Sequence, residues 1–249
     1  MFRIIGRLDL KFPHVVKGIN LEGTRKVGNP YELAEKYYRD DIDELIIADI
    51  IASHFSTGVS TPLYYDIADN IFVPTILSGG VSSLEDFSLL LKSGADRVGI
   101  NTAAINNPML INSLADKFGK QAISIIIQYF SKGPNKGYCF FNSGRDKSPK
   151  KVIEWAKEVY ERGAGEIILT CIDKEGMCKG CDLEIIESIS DTIKVPLLIH
   201  GGIKNIDHII EAAETGVSGV IISSALHFNL LNIKECKKIM ANKGFEVRQ

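Results

Sequence analysis

The chain has 249 residues, 45% of them apolar and 24% charged, and its formal net charge is −2. That length sustains one large hydrophobic core, and the near-balanced charge gives no general attraction to nucleic acid or to an acidic membrane surface. No apolar run approaches a bilayer span, the start Met1-Phe2-Arg3-Ile4-Ile5 lacks a signal-peptide pattern, and five cysteines, few and odd in number, fit a reduced, cytoplasmic protein.

Short β-rich runs alternate with longer amphipathic runs along the whole chain. Strands are predicted near 3–10, 44–49, 74–78, 96–100, 122–129, 165–170, 196–200 and 218–222. Helices are predicted near 30–40, 62–70, 83–93, 108–118, 149–162, 182–191, 205–215 and 232–242. Asn29-Pro30, Asn107-Pro108 and Ser148-Pro149 each place proline at a first helical position behind a capping residue. Strands apolar on both faces, each followed by a helix, describe a parallel sheet covered by helices. Eight such units in this length predict one closed (βα)8 TIM barrel spanning 1–249. The longest stretches without a predicted element, 10–29 and 131–148, follow strands one and five, where such a barrel carries active-site loops.

The chain also repeats itself. Glu44 and Glu166, Gly80 and Gly202, and Thr102 and Ser224 are each separated by 122 residues, which predicts half-barrels of about 1–120 and 121–249. Each half carries a Gly-Gly pair after an apolar strand and a small polar pair one unit later. The first set is Gly79-Gly80 with Asn101-Thr102, and the second is Gly201-Gly202 with Ser223-Ser224. Gly176, in the loop after the sixth strand, is counted with the second set. Glycine lets backbone N–H groups approach an anion, hydroxyls add donors, and a following helix start adds positive potential. One such set alone reads as a tight turn. Two in step predict a substrate with a phosphate at each end. At matching places in the two halves stand a carboxylate, Asp9, and an amide, Gln128.

The segments 94–104 (GADRVGINTAA) and 162–173 (RGAGEIILTCID), with His227-Phe228, resemble HisF, the cyclase subunit of imidazole glycerol phosphate synthase. The resemblance runs from Arg3 almost to the C-terminus. The sister isomerase HisA shares the doubled barrel, but Asn142-Ser143-Gly144 and His227-Phe228 fit HisF better. The resemblance implies a partner, the glutaminase HisH, that makes ammonia at the barrel bottom. It also implies a phosphorylated substrate at the top and two aspartates acting there as general acid and base. The first matches Asp9 and the second matches Gln128, whose amide neither takes nor releases a proton near neutral pH. Lys17 matches the family's loop lysine, and His200, at the end of strand seven, is the candidate substitute for the missing acid. Arg7, two residues before Asp9, is expected to face the interior and pair with it. The resemblance further matches Arg3, Glu44, Arg97 and Glu166 to the ring that closes the ammonia entrance, and Asp96 to a carboxylate at the glutaminase interface.

Gly6-Arg7-Leu8-Asp9-Leu10-Lys11, Val16-Lys17-Gly18-Ile19 and Leu21-Glu22-Gly23 resemble HisF-like paralogues more than histidine-pathway enzymes. Those paralogues accompany a HisH-like glutaminase and a sugar amidotransferase in surface-polysaccharide or nonulosonate pathways. The expected function is therefore ammonia channelling for a sugar amination, with weak or no cyclase activity. The alternatives are a genuine cyclase of histidine biosynthesis and a glutaminase activator that carries no ammonia. No cofactor is implied. Cys178 and Cys181 have the spacing of half a zinc site, but no second pair accompanies them, so no metal is expected. His14, His54 and His208 read as surface or loop histidines.

Overall fold

In the computed structural model the described residues are 1–52, 59, 62–68, 70–190 and 192–248. The strands in chain order are β1 (Arg3–Lys11), β2 (His14–Ile19), β3 (Glu22–Gly28), β4 (Glu44–Asp49), β5 (Thr75–Ser78), β6 (Arg97–Ile100), β7 (Ile123–Tyr129), β8 (Tyr138–Phe141), β9 (Asp146–Lys151), β10 (Glu166–Cys171), β11 (Leu197–His200) and β12 (Gly219–Ile222). Eight of them, β1, β4, β5, β6, β7, β10, β11 and β12, pair in parallel in that order, and β12 closes on β1. This is the (βα)8 barrel the alternation predicts, and each barrel strand lies within one residue of its predicted start.

The connecting helices are α1 (Pro30–Arg39), α2 (Pro62–Ala68), α3 (Leu84–Lys92), α4 (Thr102–Asn106), α5 (Met109–Phe118), α6 (Val152–Arg162), α7 (Leu183–Ser190), α8 (Ile206–Glu214), α9 (Ser224–His227) and α10 (Ile233–Asn242). Their starts are set locally. The Asn29 side chain accepts from Tyr31 N with Pro30 in the first turn, and Ser83 and Asp86 form a capping box. Two of the three proline expectations need correction. Pro108 is itself the N-cap of α5, and Pro149 lies in β9, three residues before α6 begins at Val152. The stretches 10–29 and 131–148 are also mostly ordered as hairpins, β2–β3 and β8–β9, which extend the ends of β1 and β7 by antiparallel pairing.

The eight barrel strands bury both faces. On β1, Ile4, Leu8 and Leu10 join the layer between barrel and helices, while Ile5 points into the lumen. There it meets Ile46, Ile76, Ile126, Ile168, Leu198 and Ile221. Each such side chain contributes about 1.5–3 kcal/mol by burial, so this aliphatic layer, rather than any ion pair, holds the barrel closed. β6 leaves room with Gly99, where an added Cβ would lie 2.9 Å from Ser78 Cβ and 3.0 Å from Ile126 Cδ1. The C-terminal tail seals the underside of β1: Phe2 bridges to Val247, and Lys237 and Arg248 both hold Asp43, whose other oxygen accepts from Ile4 N. Among the described residues no helix is long and apolar enough to cross a membrane.

Candidate functional site at the two ends of the barrel

Below the aliphatic layer, at the strand N-termini, four charged side chains form a closed ring. Arg3 Nη1 donates to Glu44 Oε2 at 2.8 Å and Arg3 Nη2 to Glu166 Oε2 at 2.7 Å. Arg97 bonds Glu44 and lies 3.4 Å from Glu166, and Ser124 Oγ donates to Glu166 Oε1 at 2.9 Å. The carboxylates are buried while the guanidinium groups stay partly exposed, at 17% and 22%. Burial and the neighbouring Glu166 push the Glu44 carboxyl above its ordinary range. Asp96 is exposed on the same face, with Oδ2 accepting from Thr75 N at 2.8 Å.

Above the layer, strand register settles which residues correspond. Asp9 pairs with Ala48, and Gln128 pairs with Thr170. Ala48 and Thr170 are separated by the repeat offset of 122, so Asp9 and Gln128 occupy equivalent places. Arg7 faces the interior, as expected, and its Nε donates to Asp9 Oδ1 at 2.8 Å. Lys17, on β2, is carried over the mouth by the hairpin, with Nζ 3.7 Å from Asp9 Oδ2 and in direct ion contact with Glu175. His200 Nε2 lies 3.8 Å from Glu175 Oε1. All five groups are buried because the loop after β10 closes on the hairpin: Asn20 N donates to Glu175 O at 2.9 Å. At Gly176, whose φ is +74°, a Cβ would lie 2.5 Å from Gly18 O.

This network fixes protonation states. Burial pushes the Asp9 carboxyl up, but Arg7 and Lys17 outweigh it and hold it at about 2. Asp9 is thus a carboxylate near neutral pH, able to accept a proton but not to supply one. Burial, with Arg7 adding repulsion, lowers the Lys17 ammonium to about 8. Burial, Arg7 and Lys17 drive His200 well below its ordinary value, so its imidazole is neutral. Gln128 Oε1 and Arg7 Nη1 are buried without a hydrogen-bond partner.

Two cavities open at the mouth. The first is lined by Arg7, Asp9, Lys17 and Gln128 with Gly80, Asn101 and Thr102. The second is lined by His200 with Gly176, Gly202, Ser223 and Ser224. Glu175 lines both. The structure therefore gathers each predicted anion set into its own cavity. Thr102 and Ser224 open the short helices α4 and α9, whose first N–H groups have no intrahelical acceptor. The Asn101 Nδ2 donates to Phe140 O at 3.2 Å, which leaves Oδ1 as its buried, unpartnered atom. Asn101 therefore presents an acceptor, and the donors of that set are Thr102 and the backbone. Cys178 lines the second cavity and Cys181 is buried. Among the described residues no group of three or more His, Cys, Asp or Glu is placed to hold a metal ion. His14 and His208 are half-buried, and His54 lies outside the described residues.

Glu175 is the residue that sequence reasoning missed. Nothing local marks it, because its partners come from β2 and β11. His227 is also more than a motif member: it is buried, with Nδ1 2.5 Å from Tyr37 Oη, and burial lowers it to about 4.

Residues 3–232 match the family model described as "Histidine biosynthesis protein". The chain is 39% identical over 249 residues to "Imidazole glycerol phosphate synthase subunit HisF" of Pyrobaculum aerophilum, covering 99% of this chain and 98% of that one. It is 38% identical over 247 residues to the protein of the same name from Wolinella succinogenes, with 99% and 97% covered. To that of Streptococcus sanguinis it is 36% identical over 247 residues, with 99% and 98% covered.

Proposed function

The chain belongs to the histidine biosynthesis protein family, and on that premise we propose that it is a HisF-type barrel subunit fed with ammonia by a HisH-like glutaminase. Ammonia enters at the Arg3–Glu44–Arg97–Glu166 ring, which faces the glutaminase together with Asp96, and passes along the aliphatic lumen to the mouth. There the two cavities hold a phosphorylated ligand or phosphate ions, and the ammonia goes on to a sugar amination carried out with a third protein, a sugar amidotransferase. The compartment is the cytoplasm. The observation that carries this reading is Gln128. It stands at the register position equivalent to Asp9, with its carbonyl unpartnered, while the ring at the other end is complete. Loss of one positioned proton-transfer group costs about 10²–10⁴ in rate, so cyclisation is weak.

A second reading, a working cyclase of histidine biosynthesis, is favoured by the relatives: all three are named for that synthase and match over nearly their whole length. Their names back it more directly than they back ammonia supply to a third protein. In that reading Lys17, with its affinity lowered to about 8, is better placed than the neutral His200 to supply the missing proton.

Both readings require the glutaminase. Mixing the purified chain with the HisH-type glutaminase of the same organism is expected to give a co-eluting pair and glutamine hydrolysis stimulated at least about tenfold. Failure of the two to associate contradicts both.

A further inference from the structure

The two mouth hairpins carry the repeat into their turns. Asn20 and Leu21, between β2 and β3, sit at φ 53° and 63°, and Asn142 and Ser143, between β8 and β9, at 49° and 58°. The two pairs are again 122 residues apart. A left-handed leucine costs about 1–2 kcal/mol, and here it places Leu21 against the other turn: a Cβ at Gly144 would lie 3.0 Å from Leu21 Cδ1. Between the turns lies a rim cavity of about 370 Å³, lined by Lys11, Glu22, Thr24, Ser143 and Arg145 among others. It adjoins the first mouth cavity through a common wall of Leu21, Thr24, Ile50 and Ser143.

Charge distinguishes this rim from the rest of the molecule. Residues 10–28 and 130–151 together hold ten Lys and Arg against two acidic residues, in a chain whose net charge is −2. Deeper in the mouth the cations are spent on carboxylates, Arg7 on Asp9 and Lys17 on Asp9 and Glu175. Lys11 and Arg145 are different: among the described residues neither has an ion-pair partner, although Glu22 shares their cavity. A pair of unspent cations beside an anion cavity raises the local concentration of anions and has charge left to bind one.

We propose that the rim cavity is a third anion subsite, in which Lys11 and Arg145 take the second phosphoryl group of a diphosphate-bearing ligand whose first phosphoryl group lies in the Gly80–Thr102 cavity. This rests on the reading of that cavity as a phosphate site. The ligand is then more highly charged at one end than a molecule with a single phosphate at each end. Glu22 opposes the second phosphoryl group and tunes its affinity.

The test is calorimetric titration of the full chain at low ionic strength with inorganic phosphate and, separately, inorganic pyrophosphate. Pyrophosphate is expected to bind about tenfold more tightly than phosphate, with the difference shrinking as salt is raised. The double variant Lys11→Ala/Arg145→Ala, both sites exposed and outside the packed core, is expected to erase that difference by weakening pyrophosphate about tenfold more than phosphate. Glu22→Gln is expected to tighten pyrophosphate alone. Equal affinity for the two anions, or a double variant that weakens both alike, overturns the third subsite while leaving the phosphate cavity standing. Absence of phosphate binding overturns the cavity reading and the subsite with it.

Discussion

At the strand N-termini, Arg3 and Arg97 each reach both Glu44 and Glu166. At the mouth, Arg7 and Lys17 both reach Asp9, but Glu175 is contacted by Lys17 and faced by a neutral His200. Each end thus holds two cations and two carboxylates, with different consequences. The lower ring is reciprocal, and its guanidinium groups still touch solvent. The upper network is a chain and fully buried; Arg7 Nη1 within it and Gln128 Oε1 beside it have no hydrogen-bond partner, as Arg97 Nε has none in the ring. The upper network's imbalance shows as a Lys17 ammonium lowered to about 8 and an Asp9 carboxyl held at about 2.

Removing a carboxylate from each end exposes that difference most strongly. Glu175→Ala leaves Lys17 buried with only half of its compensation and is expected to cost about 3–5 kcal/mol in urea unfolding. Glu166→Ala leaves Arg3 and Arg97 able to turn toward water, and about 1–3 kcal/mol is expected. Equal losses would erase the distinction between the two ends.

Titration separates the ends next. Lys17 has a folded value of about 8 against an ordinary 10.5, so the unfolded chain binds more protons between those values. Stability is therefore expected to rise by about 3 kcal/mol from pH 8 to 10.5, and Lys17→Met should flatten that rise. Asp9 has a folded value lowered from 3.8 to about 2. Its contribution of about 2 kcal/mol is present above pH 4 and is lost as pH falls through 2, a loss that Asp9→Asn should remove. The pH dependence of chemical unfolding, wild type against each variant, reads both limbs.

The smallest expected effect sharpens the ring. Arg97→Lys keeps the charge but gives up the planar fork that bonds Glu44 while facing Glu166. A stability change under about 1 kcal/mol is expected, with poorer coupling of glutamine hydrolysis to ammonia arriving at the mouth. Fully retained coupling would show that the fork is unnecessary.

The barrel was legible because its strands are apolar on both faces and alternate with amphipathic helices; of the three caps read beside a proline, only Asn29 caps its helix. The hairpins were not. Glu22–Gly28 and Asp146–Lys151 have no apolar alternation, and they pair only with β2 and β8, which themselves form because β1 and β7 project past the barrel to receive them. At the site, the equivalence of Asp9 and Gln128 could be read from the repeat, and the pairing of Arg7 with Asp9 from a period of two. Glu175 could not, since a charged residue in a glycine-rich loop reads as solvated until the fold brings Lys17 onto it. The Asn101 amide was similarly opaque, because its donor is consumed by Phe140 O, a partner supplied by an unpredicted strand.

The claim that the mouth has given up its own acid–base chemistry is tested most directly by steady-state turnover of the synthase's ribonucleotide substrate, with ammonium salt supplied in place of the glutaminase, on wild type and on Gln128→Asp. The account predicts a wild type with turnover barely above background and a variant revived by about 10²-fold or more. Robust wild-type turnover that the aspartate does not improve would contradict it and make this barrel a cyclase that works through Lys17.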